Sequence, residues 1–220
     1  MRVVFRALKN GTTNVFKAVR EMILRSGLPF EPAKINKQWP RFSYGPSLSV
    51  HQQALREYVD VYLSALVPAE EVQRKLEEAS AGELVILNVQ RVPYAMPSVQ
   101  NLAAAAIYSV EGPFASFALE QTVENYFNAP RVEAVYRSES GLALSKNIKP
   151  YVLQVQTLRS DKIRLTLVCA EGKWISPQEV VASYLGMEIP AQQEDWTVEG
   201  FTFVRKGLYW QDSQGALYLI

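Results

Sequence analysis

The chain has 220 residues, of which 48% are hydrophobic and 20% charged, with a formal net charge of +1. That length admits one large domain or two of about 100 residues each, and the balance excludes a wholly disordered chain. A single cysteine (Cys169) and a single histidine (His51) exclude a disulfide framework, a cysteine-built zinc or iron–sulfur site and a multi-histidine metal site.

Met1–Leu8 reads as a strand, with Val3, Phe5 and Ala7 on one face and Arg2, Val4 and Arg6 on the other. Lys9-Asn10-Gly11 is a turn signal, after which Asn14 can cap a helix over Val15–Arg25. Gly27 and Pro29 end that helix, the glycine supplying the left-handed position past its last turn. Phe30–Pro40 is a basic connector. Arg41–Leu48 is a short strand, and Glu57–Ser64 a clearer one, with Val59, Val61 and Leu63 opposite Tyr58, Asp60 and Tyr62. A helix opens at Pro68 and breaks at Gly82, and Leu84–Val92 is a strand stopped by Pro93 and Pro97. This β-α-β-β-α-β order is the split-βαβ, ferredoxin-like unit, with both helices on one sheet face and the other face open.

The second half repeats the order loosely. Ala104–Val110 reads as a strand, Phe114–Phe127 as a helix, Arg131–Arg137 as a strand and Ser138–Asn147 as a polar loop. Pro150–Leu158 and Lys162–Cys169 form a hairpin pattern. Ser176-Pro177-Gln178-Glu179 is a cap followed by a first-turn proline, opening a helix that Gly186 ends. Phe201–Lys206 and Leu208–Gln211 are strand material with Gly207 as a bulge. The expected architecture is α+β: two tandem ferredoxin-like (βαββαβ) domains with antiparallel sheets, over residues 1–95 and 102–220.

No phosphate-binding glycine motif of either standard type, and no G-x-S-x-G, is present. Cys169 falls on the inward parity of its strand with Ile163, Leu165 and Leu167, as an inert buried thiol would. The charge is uneven. Residues 1–41 carry nine Lys or Arg against two Glu, and the rest of the chain 14 basic against 20 acidic residues. Such a segment is a footprint for a polyanion. On the open sheet face Arg2 and Arg6 would adjoin Tyr58 and Tyr62, placing guanidinium groups that pair with phosphate beside rings that stack on bases. The connector adds Lys34, Lys37 and Arg41 around Trp39.

Several runs resemble a bacterial family of unknown function, the radical-SAM-linked proteins. They are M-R-V-V-F-R at the start, R-S-G-L-P (Arg25–Pro29), P-R-F-S-Y-G-P-S-L (Pro40–Leu48), E-Y-V-D-V-Y-L (Glu57–Leu63), N-I-K-P-Y-V (Asn147–Val152) and S-P-Q-E-V-V-A-S-Y-L-G (Ser176–Gly186). Two His-bearing motifs of that family are replaced here, by Gly11-Thr12-Thr13-Asn14 and by Ile35–Pro40. The resemblance implies tandem ferredoxin-like domains and a radical SAM partner that would carry any iron–sulfur cluster.

The chain is therefore expected to be a non-catalytic, cytoplasmic binding protein without a cofactor. It would recognise RNA or an RNA-containing assembly through Arg2, Arg6, Lys34, Lys37, Trp39, Arg41, Tyr58 and Tyr62. The alternatives are an accessory protein that docks a radical SAM enzyme, and an RNA-modifying or RNA-processing enzyme with Asp60 as its first candidate group. The short, arginine-interrupted start does not read as a signal peptide, and no apolar run approaches the roughly 20 residues of a membrane span.

Overall fold

In the computed structural model, which describes residues 1–7, 15–46, 48, 51–117, 122–170, 172–191 and 196–220, the first segment forms strand β1 (Arg2–Ala7). There follow α1 (Val15–Arg25), β2 (Phe42–Tyr44), β3 (Gln52–Ala54), β4 (Glu57–Val61), α2 (Ala69–Ala79) and β5 (Leu84–Gln90). Four of these strands make an antiparallel sheet in the order β2-β4-β1-β5. Ala18, Val19, Met22 and Ile23 share one face of α1 because residues three and four apart stack along a helix. With Val72 and Leu76 of α2 they cover Val3, Phe5, Val59, Val61 and Ile86 in one closed core. Gly27, at φ +65°, follows the end of α1. The expected cap Asn14 lies outside the described residues.

The second half comprises α3 (Val99–Leu102), β6 (Ala105–Glu111), α4 (Val123–Asn128), β7 (Glu133–Arg137), β8 (Ala143–Asn147), β9 (Val152–Arg159), β10 (Lys162–Ala170), β11 (Lys173–Trp174), α5 (Pro177–Tyr184), β12 (Thr202–Gln211) and β13 (Leu217–Leu219). It does not copy the four-stranded sheet. Its main path runs β11-β10-β6-β12-β13, with β9 also on β10 and β3 on β12. The sheet is mixed, since β3 pairs in parallel with Phe203–Arg205. A strand from the first half thus completes the second sheet, and Gln52 Nε2 donates to Gln178 Oε1 at 2.7 Å in its interior.

Other expectations also change. The helix expected over Phe114–Phe127 is a 3-10 turn at Phe114–Ser116 and then α4, because the Thr122 hydroxyl accepts from Asn125 N–H and caps a new start. Residues 118–121 lie outside the described set. The polar loop expected over Ser138–Asn147 contains β8, paired to β7 through a turn at Gly141 (φ +82°). Its register comes from backbone pairing, and its side chains are almost all exposed. The capping box at Ser176 and Glu179 is present, and the ladder shifts register between Arg205 and Gly207 as a bulge there requires. No helix among the described residues is long and apolar enough to cross a membrane.

The second face of the first sheet is covered. Val4 and Tyr58 belong to the larger core, together with Val99, Ala106, Tyr108 and Leu208 of the second half. Contact is close at Gly45, where a Cβ would stand 2.8 Å from Leu208 Cδ1. Two buried ion pairs lie along this region. Arg2 Nε and Nη2 donate to Asp60 Oδ1 and Oδ2 at 2.8 and 3.0 Å, directly across the β1–β4 ladder, and Asp60 Oδ2 also accepts from Val99 N–H at 2.7 Å. Arg205 Nη2 donates to both oxygens of Glu57 at 2.6 and 2.8 Å, and its Nη1 to Pro46 O at 2.6 Å. Tyr44 Oη completes the cluster on Glu57 Oε2 at 3.0 Å, and burial pushes its phenol far above its ordinary value.

Removing one member of a buried pair strands the other charge, whereas replacing both with apolar groups removes the desolvation cost as well. Glu57→Gln is expected to lower unfolding stability by about 3–5 kcal/mol. The double variant Glu57→Leu/Arg205→Met should lose far less. Urea denaturation of the three chains measures this; equal losses in the single and double variants would contradict it.

Candidate functional site

The open, base-stacking sheet face expected from the sequence does not exist. Arg2 is 2% exposed and Tyr58 1% exposed. Both lie under the second half, so neither can meet a nucleic acid. The alternation that looked solvent-facing is a polar seam between two packed layers. Arg6 is exposed at the opposite end of β1 from Arg2 and stands apart from the other candidates.

The five remaining residues, Lys34, Lys37, Trp39, Arg41 and Tyr62, are brought together by the connector. It folds back on itself and docks on the chain just past β4. Glu31 N–H donates to Tyr62 O (2.8 Å), Tyr62 N–H to Arg41 O (3.2 Å) and Arg41 N–H to Glu31 O (2.7 Å). Ala33 N–H donates to Trp39 O, and Asn36 Oδ1 accepts from Gln38 N–H to shape the tip. Prolines at 32 and 40 face each other across this narrow ribbon. Their fixed φ stiffens it.

Two guanidinium–aromatic stacks result. Arg41 lies 4.0 Å from the Tyr62 ring centroid, and Arg20, reaching from α1, lies 4.5 Å from that of Trp39. Arg41 Nη1 also donates to Glu31 Oε2 at 2.8 Å. Tyr94 first, and then Glu31, raise its pKa further by accepting from it. Trp39 remains 44% exposed, and Lys34 and Lys37 are exposed and form no ion pair among the described residues.

Beside Tyr62 opens a cleft of about 390 Å³, lined by Glu31, Tyr62, Leu66, Arg91, Tyr94 and Met96 among others. Tyr94 is 81% exposed. Arg91 and Tyr94 are additions to the sequence reading. Arg91 falls near the end of the expected strand Leu84–Val92 and Tyr94 follows Pro93, so Arg91-Val92-Pro93-Tyr94 is the available signal: a cation and an aromatic on a proline-stiffened stretch. Asp60 also lines the cleft, but Arg2 and the Val99 N–H occupy its oxygens. Its geometry is that of a structural acceptor. Among the described residues no three His, Cys, Asp or Glu side chains converge as metal ligands.

The profile of a bacterial family described as "Uncharacterized protein conserved in bacteria" (DUF2344) matches residues 11–177, and the chain belongs to that family. No curated protein matches it.

Cys169 is partly buried, and burial pushes its thiol up to about 11. A raised pKa leaves little thiolate at neutral pH, so alkylation should be slow at pH 7–8 and accelerate as pH rises towards 11. Iodoacetamide labelling across that range, read by mass spectrometry, checks this. Labelling at pH 7 as fast as a free thiol would contradict it.

Proposed function

We propose that this family member is an RNA-binding protein that takes single-stranded RNA across the ribbon at residues 31–41 and the adjoining Tyr62–Tyr94 cleft. The observation that carries the reading is the pair of stacks, Arg20 on Trp39 and Arg41 on Tyr62, flanked by exposed Lys34 and Lys37. Exposed aromatic faces accept bases without regard to sequence, and neighbouring cations neutralise the backbone. Stacked guanidinium groups hold the rings in place before RNA arrives, which lowers the ordering cost of binding. The protein would act in the cytoplasm.

The order β2-β4-β1-β5, with both helices on one face, supports reading the first half as a ferredoxin-like domain. The second half, with its mixed sheet, is a more elaborate relative of that plan. Fold alone assigns no activity.

A second reading is favoured by a different feature. Leu66, Tyr94 and Met96 are exposed apolar side chains on one cleft. Such a patch suits a protein partner, and a radical SAM enzyme is the partner that the family resemblance implies.

Fluorescence anisotropy with a single-stranded RNA at several salt concentrations tests the first reading. Lys34→Ala/Lys37→Ala should weaken binding and flatten the salt slope by about 1.4, two contacts at roughly 0.7 each. Trp39→Ala should cost about 1–3 kcal/mol of binding. Unchanged affinity and slope in both variants would overturn the assignment. Co-purification of a protein partner that survives nuclease treatment, in their place, would favour the second reading.

A further inference from the structure

The cleft beside Tyr62 holds a charge that backbone binding does not need. Glu31, at the start of the basic ribbon, lines it together with Tyr62, Arg91 and Tyr94. We propose, resting on the ribbon's role as an RNA site, that this cleft selects guanine in the bound strand, with the Glu31 carboxylate accepting from the N1–H and N2–H groups of the base.

The protein uses only part of that carboxylate. Glu31 Oε2 accepts from Arg41 Nη1 at 2.8 Å. Oε1 has no partner among the described residues, and it is not sealed in the interior as the unpartnered Tyr58 Oη, Ser109 Oγ and Arg205 Nε are. The Glu31 side chain is 34% exposed, so this oxygen is open to an incoming donor. An ionised carboxylate has about four lone-pair sites, and the bond from Arg41 takes one of them.

Arg41 ties a stacking ring to this acceptor. The Tyr94 hydroxyl and the Glu31 carboxylate both accept from its guanidinium. Arg41 itself covers one face of Tyr62. Tyr94, the most exposed aromatic on the cleft, is thus anchored beside Glu31 with its ring open. A ring for the face of a base and a fixed polar group for its edge are the two parts by which unpaired bases are read.

Edge chemistry selects the base. A carboxylate beside a phosphate chain repels it, so Glu31 weakens binding unless base donors face it. Guanine presents two adjacent donors, N1–H and N2–H, on its Watson–Crick edge. Adenine and cytosine set a ring-nitrogen acceptor beside their amino group, and uracil flanks its single N3–H with two carbonyl oxygens. Each of these three turns a lone pair toward the carboxylate, which costs binding. Arg91, exposed on the same cleft, is placed for the phosphate of that nucleotide.

Fluorescence anisotropy on the full chain, with short labelled uridine tracts carrying one central guanosine, inosine, adenosine or cytidine, or uridine throughout, tests the proposal. The guanosine strand is expected to bind at least about fivefold tighter than the adenosine, cytidine and uridine strands. Inosine keeps the N1–H and lacks the amino group, and its strand should fall between. In Glu31→Gln the guanosine strand should weaken and the uridine strand, relieved of the repulsion, should tighten, bringing the two within about twofold. A loss common to all strands in that variant would show that Glu31 only holds Arg41 in place, and would overturn the proposal. Lys34→Ala/Lys37→Ala should weaken every strand alike, with guanosine still preferred. Equal affinity for all strands in the parent chain overturns the guanine selection and leaves the ribbon standing, whereas no binding of any strand overturns both. GMP bound as tightly as the guanosine strand would also overturn it, because the selection would then belong to a free nucleotide.

Discussion

Glu57 and Arg205 stand 148 residues apart in the chain and meet through two hydrogen bonds of 2.6 and 2.8 Å. Neither reaches solvent. The packing of the first sheet against the second half centres on that contact and its neighbours. It fixes β12 against β4. The same short stretch of chain, from Gly45 to Leu55, also holds Gly45 against Leu208, the Pro46 carbonyl on Arg205, and β3 alongside β12. Arg2 and Asp60 play the corresponding part at the other end of β4, where the Asp60 carboxylate also holds the start of α3. Buried ion pairs of this kind contribute little net stability against an apolar alternative. Their geometric demands are strict, and here they define one way for the two sheets to meet.

That packing decides where a ligand can bind. With one face of the first sheet under its helices and the other under the second half, the accessible chemistry moves to the edges. The ribbon at residues 31–41 is such an edge, stiffened by prolines and by hydrogen bonds to Tyr62. Arg41 is held over the Tyr62 ring and paired with Glu31, and Arg20 reaches from α1 over Trp39.

Much of this was legible in the chain. Val3 and Phe5, and Val59 and Val61, alternate as half-buried strands must, and the spacing of Val19, Met22 and Ile23 marks the inner face of α1. Ser176 and Glu179 announced α5, and Gly207 the bulge in β12. β3 was not legible: Gln52-Gln53-Ala54 carries no strand signal of its own and pairs because β12 offers an edge. The sealed face was missed for a different reason. Polar residues at alternate positions look the same whether they face water or form a buried ion-paired seam. The opposite charges of Arg2 and Asp60 were the clue, and they become decisive once the register sets them face to face. Of the residues proposed for binding, those of the ribbon stand out in composition, whereas Arg91 and Tyr94 are set beside Tyr62 by the fold.

Hydrogen exchange read by mass spectrometry, on the full chain with and without a single-stranded RNA, tests the central claim that binding occurs at the edge and not on the sheet. The account predicts added protection in residues 31–41, 62–66 and 91–96, with β1 and β4 unchanged. Protection centred on β1 and β4, or RNA binding that leaves all three edge segments unaltered, would contradict it.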